Sequence, residues 1–305
     1  MTAVDWTAIT PGPHDIRLIV ADMDGTLLDG DSRIPDGFWP LLGELQARGV
    51  EFVPASGRQL ATLQTMFSHE QAAGVSSFVA ENGNVVMADG DIVDVHGVGW
   101  DLTRDVIDMV DQAVASGRHD IGLVVCGLKT AYIQRADKPF VDECSKYYQA
   151  LRIVDDLHDV LGTPGETVLK LAIFDFGAAE PMADELLSDI ARTWAVVVSG
   201  AHWVDIMDPA TNKRQGVVAL QRSLGVTPAQ TAVFGDYLND LEMFDAGEWS
   251  FAMANAHPDL KQAAHYVAPA NTEHGVLTVV RRLLGIGGSQ AAQATQTEQT
   301  AQTVR

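Results

Sequence analysis

The segment IRLIVADMDGTLLD, residues 16–29, sets an apolar run directly against two acids. Ile16, Leu18, Ile19, Val20 and Ala21 have the continuous apolar character of a strand buried on both faces of a parallel sheet. Asp22 and Asp24 follow it, one residue apart, and Gly25-Thr26 turns the chain. Ending a buried strand in two carboxylates is costly unless a cation or a proton offsets their charge. The carboxyl ends of strands are also where open α/β sheets bind ligands. This segment therefore predicts both a parallel sheet and a reaction centre at its edge.

Downstream the same alternation recurs. Pro35 suits a first helical position, and Phe38, Leu41, Leu42 and Leu45 recur at helical spacing before Gly49. A strand over 50–55 leads into Ser56-Gly57-Arg58 and a helix carrying Leu60, Leu63 and Phe67, and residues 78–80 read as a third strand of the parallel unit. After Glu81-Asn82-Gly83 the pattern changes. Residues 84–88 and 91–95 flank Asp89-Gly90, a hairpin signal, and mixed strands and helices follow as far as Trp194.

The parallel unit is expected to resume at Ala195, with strands over 196–199, 203–207 and 232–234 and helices over 212–224 and 238–246. Residues 1–13, polar with Pro11 and Pro13, read as a loose and dispensable lead-in, and 287–305 as a disordered Gly/Ser/Gln/Ala/Thr tail. The expected fold class is thus α/β. A Rossmann-like doubly wound parallel sheet is built from 14–85 and 195–286, with an inserted α+β domain over 86–194.

Composition narrows the function. Forty-one acids against 20 Lys and Arg leave a formal charge of −21, which argues against nucleic acid as partner. A phosphorylated small molecule is compatible only where a metal and a few placed cations reverse the field locally. Cys126 and Cys144 form no CxxC pair and read as buried small hydrophobes in a reducing compartment. No signal-peptide pattern and no run of about 20 apolar residues is present, so a cytoplasmic protein without a membrane partner is expected, monomeric or weakly self-associating.

Four strand-end clusters carry residue types suited to phosphoryl transfer. In DMDGT, Asp22 can attack phosphorus and Asp24 can move protons; a lone acid here would read as a turn or cap. In Ser56-Gly57-Arg58 the hydroxyl and the following helix start can donate to a phosphate oxygen, although Ser-Gly is also ordinary turn chemistry. Lys213 opens a helix and can neutralise converging anions, or be no more than a solvated helix-end charge. In FGDYLND, Asp236 and Asp240 lie four apart across a turn as hard oxygen ligands for Mg²⁺, with helix capping by Asn239 or Asp240 as the plainer alternative. No HExxH, GxxxxGK[ST] or strand-linked GxGxxG pattern competes with these.

In order and spacing these clusters resemble the haloacid dehalogenase superfamily of Asp-nucleophile phosphotransferases. DMDGTLLD is similar to its first motif, ASGR to its second, Lys213 in NKRQGV to its third and GDYLND to its fourth. The long insertion resembles the cap of the Cof-type sugar-phosphatase branch, as do AENGNVV, FAMANA and NTEHGV at 80–86, 251–256 and 271–276.

The resemblance implies Asp22 as nucleophile and Asp24 as general acid/base. It implies Mg²⁺ held by Asp22, the backbone carbonyl of Asp24, and Asp236, with Asp240 in support, and phosphate contacts from Ser56, Gly57, Lys213 and Asn239. It further implies hydrolysis of small phosphorylated metabolites, sugar phosphates above all, with phosphomutase or phospho-acceptor chemistry as alternatives. Ser56 stands where many relatives carry Thr, and Arg214 where many carry Gly. Glu81, Asn82 and Arg58, with Lys129, Tyr132 and Lys170 in the insertion, are polar groups that could reach a substrate or be purely structural.

Overall fold

The computed structural model describes residues 3–68 and 75–287. Residues 288–305 of the expected tail, and 1–2 of the lead-in, lie outside the described residues. The chain forms two compact units, one from Met1–Ala55, Glu70–Ser77 and Gln221–Arg305, the other from Ser56–His69 and Phe78–Leu220.

The first unit is built on a six-stranded parallel sheet in the order Val4–Asp5, Tyr266–Ala268, Trp249–Met253, Thr231–Gly235, Leu18–Ala21, Glu51–Pro54. Leu18, Ile19, Val20 and Ala21, one strand in from the Glu51–Pro54 edge, are wholly buried. Leaving water stabilises each of the three larger side chains by about 1.5–3 kcal/mol. Register sets Ala21 opposite both Phe234 and Pro54, so these three strands end along one edge. Connections leave Leu18–Ala21 toward Glu51–Pro54 first and toward Thr231–Gly235 later, which makes the gap between Leu18–Ala21 and Thr231–Gly235 a topological switch point. Phe234 and Phe251 stack with ring centroids 4.7 Å apart.

The lead-in is docked rather than loose. Val4–Asp5 adds an edge strand beside Tyr266–Val267, and Ile9 is buried. The Arg282 guanidinium donates to the carbonyls of Ile9 and Thr7 at 2.6 and 2.7 Å and lies over the Trp6 ring. Polar composition conceals this docking, because backbone donors and acceptors pair whatever side chains they carry.

The second unit holds a six-stranded mixed sheet and a three-stranded antiparallel one. In the larger, Ala195–Val198, Trp203–Met207, Val168–Asp175, Ile121–Gly127 and Ala131–Ile133 pair antiparallel in that order, and Leu151–Ile153 adds a parallel edge. One face packs on helices Trp100–Ala115 and Ala179–Leu186 through Val106, Val110, Met182, Leu171 and Ile173. The other face packs around Phe140, Cys144 and Tyr148.

Three strands expected in the parallel unit therefore lie elsewhere. Ala195–Val198 and Trp203–Met207 join the mixed sheet, and Phe78–Ala80 pairs antiparallel with Val85–Ala88. Trp203–Met207 alternates buried Val204 and Ile206 with half-buried neighbours, the pattern of a strand in an antiparallel sheet. Among the described residues no helix is long and apolar enough to cross a membrane.

Candidate active site

Asp22 is the first residue beyond its strand, and its N–H still donates to the Phe234 carbonyl at 3.0 Å. The ladder thus fixes the backbone at Asp22 against the strand that leads into Asp236. Residues Met23–Leu27 then form one wide turn, closed by Leu27 N–H to Asp22 O and Leu28 N–H to Met23 O. Gly25 makes this turn possible. Its φ is +78°, and a Cβ there would lie 2.3 Å from Oδ2 of Asp236, so both the backbone and the space exclude a side chain.

The Asp236 loop is held equally tightly. Buried Asp240 accepts from the N–H groups of Asp236 and Tyr237 through Oδ2, at 3.0 and 3.3 Å. The Thr26 hydroxyl donates to Asp236 Oδ1 at 3.1 Å, and the His257 N–H donates to the Asp236 carbonyl. Residues 238–246, expected as one helix, are instead two short turns, Leu238–Asp240 and Glu242–Ala246; Asp240 serves the loop before it.

Asp22, Asp236 and Asp240 come together, each offering a carboxylate oxygen within 4.8 Å of the others. Three carboxylates so close repel one another unless a cation or protons offset their charge. Hard oxygen donors from a rigid frame fit a divalent cation, and this trio could hold one. The Asp24 carboxylate is outside that trio, on the exposed side of its turn, and Asn239 is exposed on the Leu238–Asp240 turn.

Ser56, Gly57 and Lys213 belong to the second unit. Ser56 is buried, and its hydroxyl accepts from the Arg58 N–H at 3.2 Å. Lys213 opens the helix Lys213–Leu224, where the Asn212 side chain accepts the Gln215 N–H. With 1% exposure, Lys213 is no solvated helix-end charge. Tyr132 donates to Glu166 at 3.0 Å, and Lys170 pairs with Glu81 at 3.1 Å.

Two amides missing from the sequence-based site are structural partners of the acid-bearing turn. Asn255 donates to the Gly25 carbonyl at 2.8 Å and accepts from the Asn271 N–H, while the Asn271 side chain donates to the Leu28 carbonyl at 2.9 Å. Both asparagines lie in the stretches FAMANA and NTEHGV, so the signal for them was present as motif without a role.

Comparison with known proteins agrees with this geometry. Residues 19–280 match the model of the haloacid dehalogenase-like hydrolase family. Among curated relatives, the 5-amino-6-(5-phospho-D-ribitylamino)uracil phosphatase YbjI of Escherichia coli K12 is 30% identical, over 88% of this chain and 96% of that protein. The HMP-PP phosphatase of Cronobacter sakazakii is 26% identical over 80% and 86%. In fold, a haloacid dehalogenase-like hydrolase from Bacteroides thetaiotaomicron superposes with a TM-score of 0.75 at 21% identity, covering 88% of this chain and 99% of that one. The chain belongs to the haloacid dehalogenase-like hydrolases and is an enzyme of their phosphoric monoester hydrolase type.

Proposed function

We propose that this hydrolase removes phosphate from small phosphorylated metabolites, sugar phosphates above all, with Mg²⁺ and through a phospho-aspartate on Asp22. The observation that carries the reading is the meeting of the Asp22, Asp236 and Asp240 carboxylates at the ends of two adjacent parallel strands. In the first step a carboxylate oxygen of Asp22 bonds to phosphorus as the bond from phosphorus to the ester oxygen breaks, and Asp24 gives that oxygen its proton. Asp24 then takes a proton from the water that attacks the phospho-aspartate. Inorganic phosphate leaves and the Asp22 carboxylate is restored.

Asp22, Asp236, Asp240 and the backbone carbonyl of Asp24 would hold Mg²⁺, whose charge offsets the approach of a carboxylate to a phosphate. Ser56, Gly57, Lys213 and Asn239 are assigned to the phosphoryl oxygens on the strength of their motif positions. Residues 14–85 and 195–286 carry the chemistry in this reading, and the insertion over 86–194 selects the substrate. The enzyme works in the cytoplasm as a monomer or weak homo-oligomer.

The test is phosphate release from a panel of phosphorylated metabolites with and without Mg²⁺. The panel includes 5-amino-6-(5-phospho-D-ribitylamino)uracil, the compound in the name of the E. coli relative. Mg²⁺-dependent release, lost in Asp22→Asn, is expected. Equal activity in Asp22→Asn refutes the mechanism, isomer interconversion exceeding release makes the enzyme a phosphomutase, and a phosphoryl lifetime of many minutes makes it an acceptor switch.

A further inference from the structure

Within the second unit, the turn Glu81-Asn82-Gly83 lies between the two segments assigned above to phosphate. Its three residues are all left-handed, with φ of +50°, +56° and +102°, an arrangement that Glu and Asn adopt only when their surroundings impose it. On one side the turn grips the loop 56–58. The Glu81 N–H donates to the Arg58 carbonyl at 3.1 Å, the Asn82 N–H donates to the Ser56 carbonyl at 2.9 Å, and the Ser56 N–H donates to Val79. On the other side it abuts the start of the helix that Lys213 opens. A Cβ on Gly83 would fall 2.3 Å from the Asn212 carbonyl oxygen, so the backbones meet without room for a side chain.

Two buried charges, Glu81 and Lys170, and the half-buried Asp205 stand behind this turn. The Glu81 side chain, 1% exposed, meets the Lys170 ammonium at 3.1 Å, and Asp205 lies 3.7 Å from the same ammonium. Lys170 and Asp205 come from adjacent strands of the mixed sheet, Val168–Asp175 and Trp203–Met207. Burial works against the Lys170 charge, but the carboxylates of Asp205 and Glu81 outweigh it and hold the ammonium above its usual range. Burial likewise raises Glu81, with Lys170 opposing. An interior charge group of this kind is a poor source of net stability, whereas it fixes geometry well, because breaking one partner strands the others.

We propose that Lys170 is a positioning residue of the phosphate-binding apparatus, acting through Glu81 to hold the turn on which Ser56-Gly57 and Asn212-Lys213 both rest. The proposal depends on the reading of Ser56 and Lys213 as phosphate contacts. It separates two halves of the machinery: loss of the Lys170 charge loosens phosphate binding, while the acids Asp22, Asp236 and Asp240, set by the parallel sheet, keep their cation.

The experiment compares wild type, Lys170→Met and Lys170→Arg in the full chain. It reads KM for p-nitrophenyl phosphate, calorimetric affinity for inorganic phosphate, and half-saturation by Mg²⁺. In Lys170→Met both phosphate constants should weaken about ten- to a hundredfold, the scale of a misplacement near 1 Å, with Mg²⁺ half-saturation within about twofold of wild type. Lys170→Arg, which keeps the charge, should recover part of the loss. Unchanged phosphate constants in folded Lys170→Met overturn the proposal, and so does a parallel loss of Mg²⁺ affinity. Should Lys170→Met fail to fold, Asp205→Asn is read in the same way, with about a threefold weakening of phosphate expected and none overturning it. A wild-type enzyme that neither binds nor releases phosphate would instead sink the reading of Ser56 and Lys213.

Discussion

Gly25→Ala is the sharpest probe of the acid-bearing turn. Two costs follow from the geometry. Gly25 sits at φ +78°, where an L side chain costs about 1–2 kcal/mol. The new Cβ would also stand 2.3 Å from Asp236 Oδ2 and 2.7 Å from its Cγ, so turn and carboxylate must separate by about 1 Å to reach ordinary contact. Asp236 cannot yield freely, because Thr26 holds its Oδ1 and His257 its carbonyl. The Gly25 side is pinned by Asn255.

We expect a stability loss of about 1–3 kcal/mol, read by urea denaturation. We also expect a fall in kcat/KM near a hundredfold and a clearly weaker response to Mg²⁺. Since the fold survives a loss of that size in most domains, activity and stability can be measured on the same sample. A variant that keeps wild-type kcat/KM and Mg²⁺ half-saturation would refute the argument that this position must leave room for Asp236. Asn255→Ala, which removes the Gly25 carbonyl's amide partner without adding bulk, should move the same two quantities in the same direction by less.

Other perturbations test other parts. Saturating Mg²⁺ should stabilise the wild type by about 2.7 kcal/mol at a hundred times its dissociation constant, and chelation should reverse this. Asp236→Asn should lose most of the increment, and equal stabilisation of that variant would remove Asp236 from the metal site. Asp240→Ala strips two backbone N–H groups of their acceptor and should cost about 1–3 kcal/mol in addition to activity; a neutral melting curve would contradict that role. Deleting residues 1–13 removes the Val4–Asp5 strand, buried Ile9 and the acceptors of Arg282. It should destabilise the enzyme by about 2–4 kcal/mol, whereas unchanged cooperative melting would mean that the lead-in is dispensable after all.

The pH dependence of His158 has a definite sign. Hydrogen bonds that its ring nitrogens donate to the carboxylates of Asp156, then Asp108, raise its pKa above the ordinary value. Its contribution is therefore complete below about pH 6.5 and lost as pH rises through the higher folded value. His158→Gln should flatten this small decline in Tm, and a decline of undiminished slope would assign it elsewhere.

Much of the site was legible from residues 16–29 alone, because a continuous apolar run has few ways to be satisfied and acids at its end need compensation. Asp22 and Asp236 follow short buried strands, and the register Ala21 opposite Phe234 brings them together. Strand partnership was less legible. Phe78–Ala80 is as apolar as any core strand, yet nothing in three residues names the partner, and it pairs with Val85–Ala88. Trp203–Met207 did carry a signal, Asp205 amid its alternation, which marks a strand covered unequally on its two faces. The docking of Val4–Asp5 left no trace, since it rests on main-chain bonds and on Arg282 far along the chain.

Local chemistry is written in the chain: which strands are buried, where they end, and which acids, hydroxyls and lysines stand at those ends. Periodicity and residue type act within a few positions of the chain, so they can be read there. Folding alone brings Asp240 into the neighbourhood of Asp22 while its Oδ2 braces the loop, buries Lys213, and turns Lys170 to Glu81 rather than water. Those outcomes depend on register and on groups tens to hundreds of residues apart. The free energy of a buried charge is set by whichever partner the fold brings to it.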